Sequence, residues 1–333
     1  MSIIKRAVAV LLIVLTVLSM GSCTPTNGTD EDQSIKIVCT VFPIYDWVKN
    51  IVSEMDPEKA QNLFGIGYEG RTKDIDLILL YDNGTDLHSY QATASDLVAI
   101  ATCDLLIYVG GESDKWIQSA LTNSANPNRR VLCLTEIIKD RLIQSDHDHN
   151  DHEGEEIDEH VWLSIKNAEL FCDAIFETIT EIDTENKALY AVNTGIYTEK
   201  LQSLDKYLSD IVADAPSKEV IFADRFPFSY LMEDYGITCH AAFDGCSSEA
   251  EASFDTIITL AATLNRLGAK AILTTESPLS NVADAVISAA NTENIEVLAM
   301  NSMQSVSQKD MDEGKTYLSL MEENIAVLKA ALN

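Results

Sequence analysis

Only 23 of the 333 residues are lysine or arginine, against 53 aspartates and glutamates, which leaves a formal charge of −30. So few basic residues exclude a nucleic-acid binder, because cationic side chains carry affinity for phosphate backbones. The same shortage works against anionic lipid surfaces and favours cations at long range. Cysteine is present seven times, but no Cys-x-x-Cys pair and no metal-type spacing occurs. A cysteine zinc site is therefore absent from the pattern. Most of the cysteines sit among apolar neighbours, as in Ile37-Val38-Cys39 and Leu132-Cys133-Leu134, where cysteine behaves as a small hydrophobe. Cys239 and Cys246 are near enough in sequence to form a local disulfide. Neither His-Glu-x-x-His nor Gly-x-Ser-x-Gly appears, which removes two familiar hydrolase signatures. The apolar run 7–20 is 14 residues long, short of the roughly 20 that a spanning helix needs.

That run has the form of an export signal instead. Lys5 and Arg6 precede it, and Gly21-Ser22-Cys23 closes it with two small residues before a cysteine. This ending resembles a bacterial lipobox, so residues 1–22 are expected to be removed and Cys23 to be lipidated. Residues 23–34, made mostly of Thr, Asp and other small or polar residues, cannot pack and are expected to form a flexible tether. Loss of 1–22 takes away Lys5 and Arg6 and no acid, making the chain more acidic still.

What is concentrated is histidine. Four of the six lie in one stretch: His147, His149, His152 and His160. The first three alternate with carboxylates and have no apolar company. His160 is followed at once by Val161-Trp162-Leu163. Imidazole and carboxylate are ligands for divalent metals such as Zn²⁺ and Mn²⁺. The pattern reads as a metal-collecting loop, 144–157, leading into a fixed ligand at His160. The alternative is a solvated acidic loop with incidental histidines.

The rest of the chain alternates apolar runs with amphipathic segments. Strands are expected at 35–41, 75–80, 105–109 and 130–134, with helices at 44–55, 94–102 and 115–121. The rhythm recurs as strands at 219–223, 237–243, 271–275 and 296–300, with helices at 228–235, 256–267, 282–291 and 317–332. Continuous β-branched runs separated by helices indicate parallel sheets covered on both faces. Between the two series, apolar residues repeat every three or four positions over 184–213, the mark of one long amphipathic helix. The expected fold is therefore α/β: two doubly wound parallel-sheet lobes, 35–183 and 214–333, bridged by the helix 184–213. Ligands in such folds bind beyond the carboxyl ends of strands, and His88 falls in the loop after one of them.

Asp86-Leu87-His88-Ser89-Tyr90, Ser95-Asp96-Leu97, Cys103-Asp104-Leu105 through Gly110-Gly111, Asp158-Glu159-His160-Val161-Trp162, Glu251-Ala252-Ser253 and Tyr317-Leu318-Ser319-Leu320 follow one another in order. In order and spacing they resemble the solute-binding lipoproteins of zinc and manganese ABC importers, from Ile35 to the C-terminus. The resemblance implies a metal held in a cleft between the lobes, with His88 and His160 as its first two ligands. It implies an extracytoplasmic, lipid-anchored monomer that delivers the ion to an ABC permease with a cytoplasmic ATPase, and no enzymatic activity.

The second half departs from the family pattern. Where zinc-type members often carry a histidine, this chain has Asp224-Arg225-Phe226-Pro227. Arginine cannot ligate a cation, so Asp224 is the candidate third ligand, with an ion pair to Arg225 as its alternative reading. After the last strand, Asn301-Ser302-Met303-Gln304 contains no acid. Glu276, at the end of the preceding strand, is the acidic substitute, with a structural carboxylate as its alternative, and Gln304 is a further candidate. Two imidazoles with oxygen donors move the site toward Mn²⁺ or Fe²⁺, whereas raw affinity and the histidine-rich loop favour Zn²⁺. Zinc is the expected metal. A surface adhesin whose metal is only structural is the competing function.

Overall fold

In the computed structural model the described residues are 34–333, apart from 66, 68–69, 83, 85–86, 145–156, 244–251, 291 and 293. The export segment, Cys23, most of the tether, Cys246 and the loop histidines His147, His149 and His152 lie outside them. Ile35–Asn333 forms one compact unit.

The first half runs β1 (Ile35–Cys39), α1 (Phe42–Ile51), α2 (Pro57–Phe64), β2 (Ile75–Leu79), a 3-10 turn (Leu87–Ser89), α3 (Ala94–Thr102), β3 (Leu105–Tyr108), α4 (Lys115–Leu121), β4 (Arg130–Cys133) and α5 (Leu134–Ile137). A 3-10 turn at Val161–Leu163 then leads into α6 (Ile165–Ile182) and α7 (Lys187–Asp214). The second half runs β5 (Glu219–Phe222), α8 (Ser229–Tyr235), β6 (Thr238–Ala241), α9 (Phe254–Leu267), β7 (Ala271–Thr275), α10 (Asn281–Ala289), β8 (Glu296–Met300), α11 (Gln308–Asp312) and α12 (Tyr317–Leu332).

The strands form two four-stranded sheets, ordered β2-β1-β3-β4 and β6-β5-β7-β8, and every pairing is parallel. The two halves thus share one topology. In each, the chain winds outward first to one side and then to the other. The reversal falls between β1 and β3 in the first sheet and between β5 and β7 in the second, which leaves a crevice at the carboxyl ends of those strands.

Side-chain alternation explains why both faces are covered. Val220 and Phe222 on β5 join the main core, while Ile221 and Ala223 join a smaller cluster with Leu260, Ala261 and Leu264 of α9 and Ala283 and Val286 of α10. The main core runs without a break from the first sheet through α6 and α7 to Leu273, Met300, Tyr317 and Met321 of the second half. The halves share one apolar interior.

The bridging helix begins at Lys187, three residues later than its apolar period predicts. The residues before it form a turn in which the Asp183 carboxylate accepts hydrogen bonds from Asn186 (2.8 Å) and the Tyr190 hydroxyl (2.7 Å). At ~1.5 Å per residue α7 is about 42 Å long. It packs along its length against α6, α1 and α12, with Leu189, Tyr197, Leu201, Leu204 and Leu208 buried. The sequence reading passed over α6 entirely. Its signal is present in Ile165, Ala168, Phe171, Cys172, Ile175 and Ile179, all buried, and in Ser164, which caps Asn167 N–H.

Asp46 on α1 ties three helices together. Its Oδ2 accepts from the Tyr197 hydroxyl of α7 (3.1 Å), from the first backbone N–H of α12 at Tyr317 (3.2 Å) and from Asn50 (3.3 Å). Burial pushes this carboxyl above its ordinary value, yet removing it strands buried donors, which costs about 1–3 kcal/mol. Asp46→Ala is therefore expected to lose about that much in urea denaturation. Lys206→Ala, which breaks an exposed Lys206–Asp210 pair on the same long helix, should leave the denaturation midpoint close to that of the parent.

Candidate metal centre

His88 and His160 come from segments 72 positions apart and meet with ring centroids 5.4 Å apart and planes inclined by 58°. Two imidazoles bound through nitrogen at ~2.0–2.1 Å to one tetrahedral ion have centroids about 5.2 Å apart. The observed pair fits that requirement.

Each ring is oriented by a carboxylate. His160 Nδ1 lies 2.7 Å from Asp158 Oδ1, and the same oxygen accepts the His160 backbone N–H at 2.9 Å. His88 Nδ1 lies 3.2 Å from Glu159 Oε1 and 3.0 Å from Ser113 Oγ, whose hydroxyl donates to that carboxylate. Two adjacent carboxylates therefore serve two different histidines. A neutral imidazole that donates through Nδ1 keeps its lone pair on Nε2, the usual arrangement behind a metal-bound histidine.

Asp158, Glu159 and His160 are 7%, 5% and 3% exposed. Burial pushes both carboxyls up. The His160 imidazole more than offsets this at Asp158, and the hydrogen bonds from His88 and Ser113 do so at Glu159, so both sit below their ordinary values. Buried charge without a partner would be costly, so the rings and carboxylates hold each other in place.

The neighbouring loops are shaped around Glu159. Its Oε2 accepts the Ser113 backbone N–H at 3.1 Å. Gly111 has φ +106°, and a Cβ there would stand 2.7 Å from Oε2. Gly110, φ +88°, would place a Cβ 2.2 Å from Thr135 Oγ1. Asp114 gathers this turn by accepting from Val109 N–H (2.9 Å), Gly110 N–H (3.0 Å) and the Tyr81 hydroxyl (2.8 Å). Burial raises its carboxyl to about 6 against those hydrogen bonds, and nearby Glu159 adds to the rise. Tyr81 in turn packs against Tyr90, with ring centroids 4.0 Å apart and planes tilted by 42°, which anchors the loop bearing His88.

From the second half, residues 302–308 run between the two histidine segments. Ser302 carbonyl accepts Trp162 Nε1 at 2.9 Å, two residues beyond His160. Ser305 carbonyl lies 3.3 Å from where a Gly84 Cβ would be, and Gln308 N–H donates to Asp82 carbonyl at 3.1 Å, close to the His88 turn. Gln304 is buried between these anchors.

Glu276 and Met303 both adopt left-handed backbone, with φ 63° and 60°, which costs a non-glycine residue about 1–2 kcal/mol. Glu276 is held there by its own N–H to Met300 carbonyl (2.8 Å) and by Oε1, which accepts Ser302 N–H (2.8 Å) and Ser302 Oγ (2.5 Å). Asn324 clamps Asn301 on both its N–H and its carbonyl. Asp224, half-buried beyond β5, spends Oδ1 on Arg225 N–H (2.8 Å) and Oδ2 on Thr275 N–H (3.2 Å). These bonds are with backbone, not with the Arg225 guanidinium.

Among the described residues no three His, Cys, Asp or Glu side chains form a group that could hold a metal. The structure brings His88 and His160 together and leaves Asp224 and Glu276 at the carboxyl ends of β5 and β7, drawn to backbone N–H groups there. Sequence reasoning did not assign Asp158, Glu159 and Ser113 as orienting groups. The first two were visible as paired acids directly before His160; Ser113 had no local signal. His240 stands on β6 with its ring 2.8 Å from Glu219, which Arg266 also engages.

A family model described as zinc-uptake complex component A, periplasmic, matches residues 37–331. The zinc-binding lipoprotein AdcA of Streptococcus pneumoniae is 26% identical over 333 residues, 97% of this chain and 60% of that protein. The chain thus spans about three-fifths of the length of the streptococcal relatives it matches. The high-affinity zinc uptake system protein ZnuA of Bacillus subtilis is 27% identical over 94% of this chain and 92% of that one. Among solved structures, the Zn(II)-bound ZnuA-like domain of S. pneumoniae AdcA superposes with a TM-score of 0.67 at 25% identity, covering 90% of this chain and 99% of that one.

Gly111→Ala tests the packing around Glu159. The new methyl group must displace the carboxylate or the backbone, so a loss of about 1–3 kcal/mol is expected in thermal denaturation. An unchanged melting temperature would contradict the close approach described here.

Proposed function

The chain belongs to the zinc-uptake complex component A family, and we propose that it is an extracytoplasmic receptor that captures a divalent metal and passes it to an ABC importer. The pair of imidazoles, each backed by a buried carboxylate at Nδ1, carries this reading. Such backing fixes ring orientation and raises ligand basicity, and a receptor needs both to bind tightly without folding around its ion. The metal is cargo, so no reaction has to be catalysed.

Zinc is the proposed ion, with Mn²⁺ or Fe²⁺ as the alternative. Two nitrogen donors favour zinc over manganese in raw affinity, and the two relatives are named for zinc binding and zinc uptake. His88 and His160 are the proposed direct ligands. The remaining donors come from the second half, where Gln304 occupies the segment between the histidine loops and Glu276 and Asp224 stand at the strand ends behind it. Cys23 as lipid anchor, 23–34 as tether, and His147, His149 and His152 as an auxiliary collector complete the proposal from sequence.

His88→Ala and His160→Ala should each weaken zinc binding by at least about 100-fold in calorimetry, since even residues behind the ligands are worth 10–100-fold. The metal-free protein should remain folded in chelator and gain stability on titration, about 2.7 kcal/mol once free zinc reaches a hundred times Kd. Wild-type affinity in both histidine variants would refute the site. Unfolding in chelator would favour the structural-metal adhesin instead, and competition among Zn²⁺, Mn²⁺ and Fe²⁺ decides the cargo.

A further inference from the structure

The two histidines are oriented by different groups. His88 rests on Ser113 and Glu159, both from the first half of the chain. The His160 segment is gripped from the second half on either side of the ligand. Before it, the Tyr230 hydroxyl of α8 donates to Asp158 carbonyl at 2.8 Å and accepts Ile143 N–H at 3.1 Å, and the Ser229 side chain bonds the Asp158 carboxylate. After it, Trp162 donates Nε1–H to Ser302 carbonyl (2.9 Å), while its own carbonyl accepts the Tyr317 hydroxyl (2.8 Å). The Trp162 ring lies edge-on to the His160 ring at 5.3 Å.

Asp158 is the residue that aims His160. Tyr230 sits 4% exposed and reaches the backbone of that residue from α8 in the second half. The Ile143–Asp158 pair it spans is also closed by Asp158 N–H to Ile143 carbonyl at 2.9 Å and by the Gln144–Ile157 bridge. A shift of α8 relative to the first sheet therefore moves Asp158, whose carboxylate orients His160.

We propose that the Tyr230 hydroxyl is a positioning group that ties His160 to the second half, so that displacement of α8 opens the metal site by misaligning one of its two imidazoles. This rests on the metal-receptor reading above. A partner that pulls on the second half would release the ion without having to unfold the first.

Tyr230→Phe removes one hydroxyl and no packing. In a stopped-flow chase of zinc-loaded protein with excess chelator, its zinc dissociation rate should rise by about tenfold or more, the scale expected when a residue behind a ligand is lost. Trp162→Phe should accelerate release in the same way. Tyr235→Phe is the control: it lies on the same helix and loses an equally short bond, 2.8 Å, which runs to Asp205 of α7 and not to the His160 segment. Its release rate should match wild type, and the metal-free melting temperature of Tyr230→Phe should fall no further than that of Tyr235→Phe. Release at the wild-type rate in Tyr230→Phe, or equal acceleration in Tyr235→Phe, overturns the inference while leaving the receptor reading intact. Wild-type protein that binds no zinc overturns the receptor reading, and this inference with it.

Discussion

Two neighbouring carboxylates, Asp158 and Glu159, are buried in a chain already crowded with negative charge, and each must find a partner there. Desolvated charge without compensation costs several kcal/mol. Asp158 meets its need at His160, and Glu159 at His88 and Ser113. Much of the surrounding architecture follows from that pairing. Gly111 is bare because Glu159 occupies the space a methyl group would take. Ser113 directs both its N–H and its hydroxyl to the same carboxylate. Asp114 gathers the turn beneath, and Tyr81 and Tyr90 pack together to carry the His88 loop.

The same interactions give the site its chemistry. A carboxylate at Nδ1 serves structure and ligation together, because it satisfies a buried charge and sets the ring for metal through Nε2. The arrangement combines preformed geometry, oriented imidazoles and neighbouring oxygen groups, as the proposed reversible capture requires. In the second half, strain is spent on shape. Glu276 and Met303 take left-handed backbone, and a dense set of bonds through Ser302, Asn301 and Asn324 holds them there. The outcome is a rigid segment, 302–308, laid against both histidine loops.

Two sheets of identical strand order would by themselves suggest two independent bodies. The continuous core argues otherwise. α7 is packed along its length by α6, α1 and α12, and Asp46 binds α7 and α12 from α1. The halves are joined by apolar packing as well as by the chain that passes between them. In such a body small displacements are transmitted through specific contacts, among them those that reach the His160 segment from α8 and from Ser302.

By itself the sequence determined the fold class and most element boundaries to within one or two residues, and it singled out the two histidines whose rings the fold brings within 5.4 Å. These depend on local regularities: period-2 and period-3.6 apolar patterns, and histidines embedded in distinctive motifs. Even the overlooked α6 had its period and its Ser164 cap in plain view. Only the tertiary structure decided what stands around the imidazoles. Asp158 and His160 are two positions apart, but that Glu159 serves His88, that Ser113 joins them, and that Tyr230 and Ser302 grip the His160 segment are contacts across 25 to 140 positions. Asp224 and Glu276 likewise accept backbone N–H bonds, from Thr275 and Ser302, that only the folded second half presents to them. Residue type announces that a carboxylate can ligate a metal; which donor reaches it first depends on three-dimensional proximity, which no local pattern encodes.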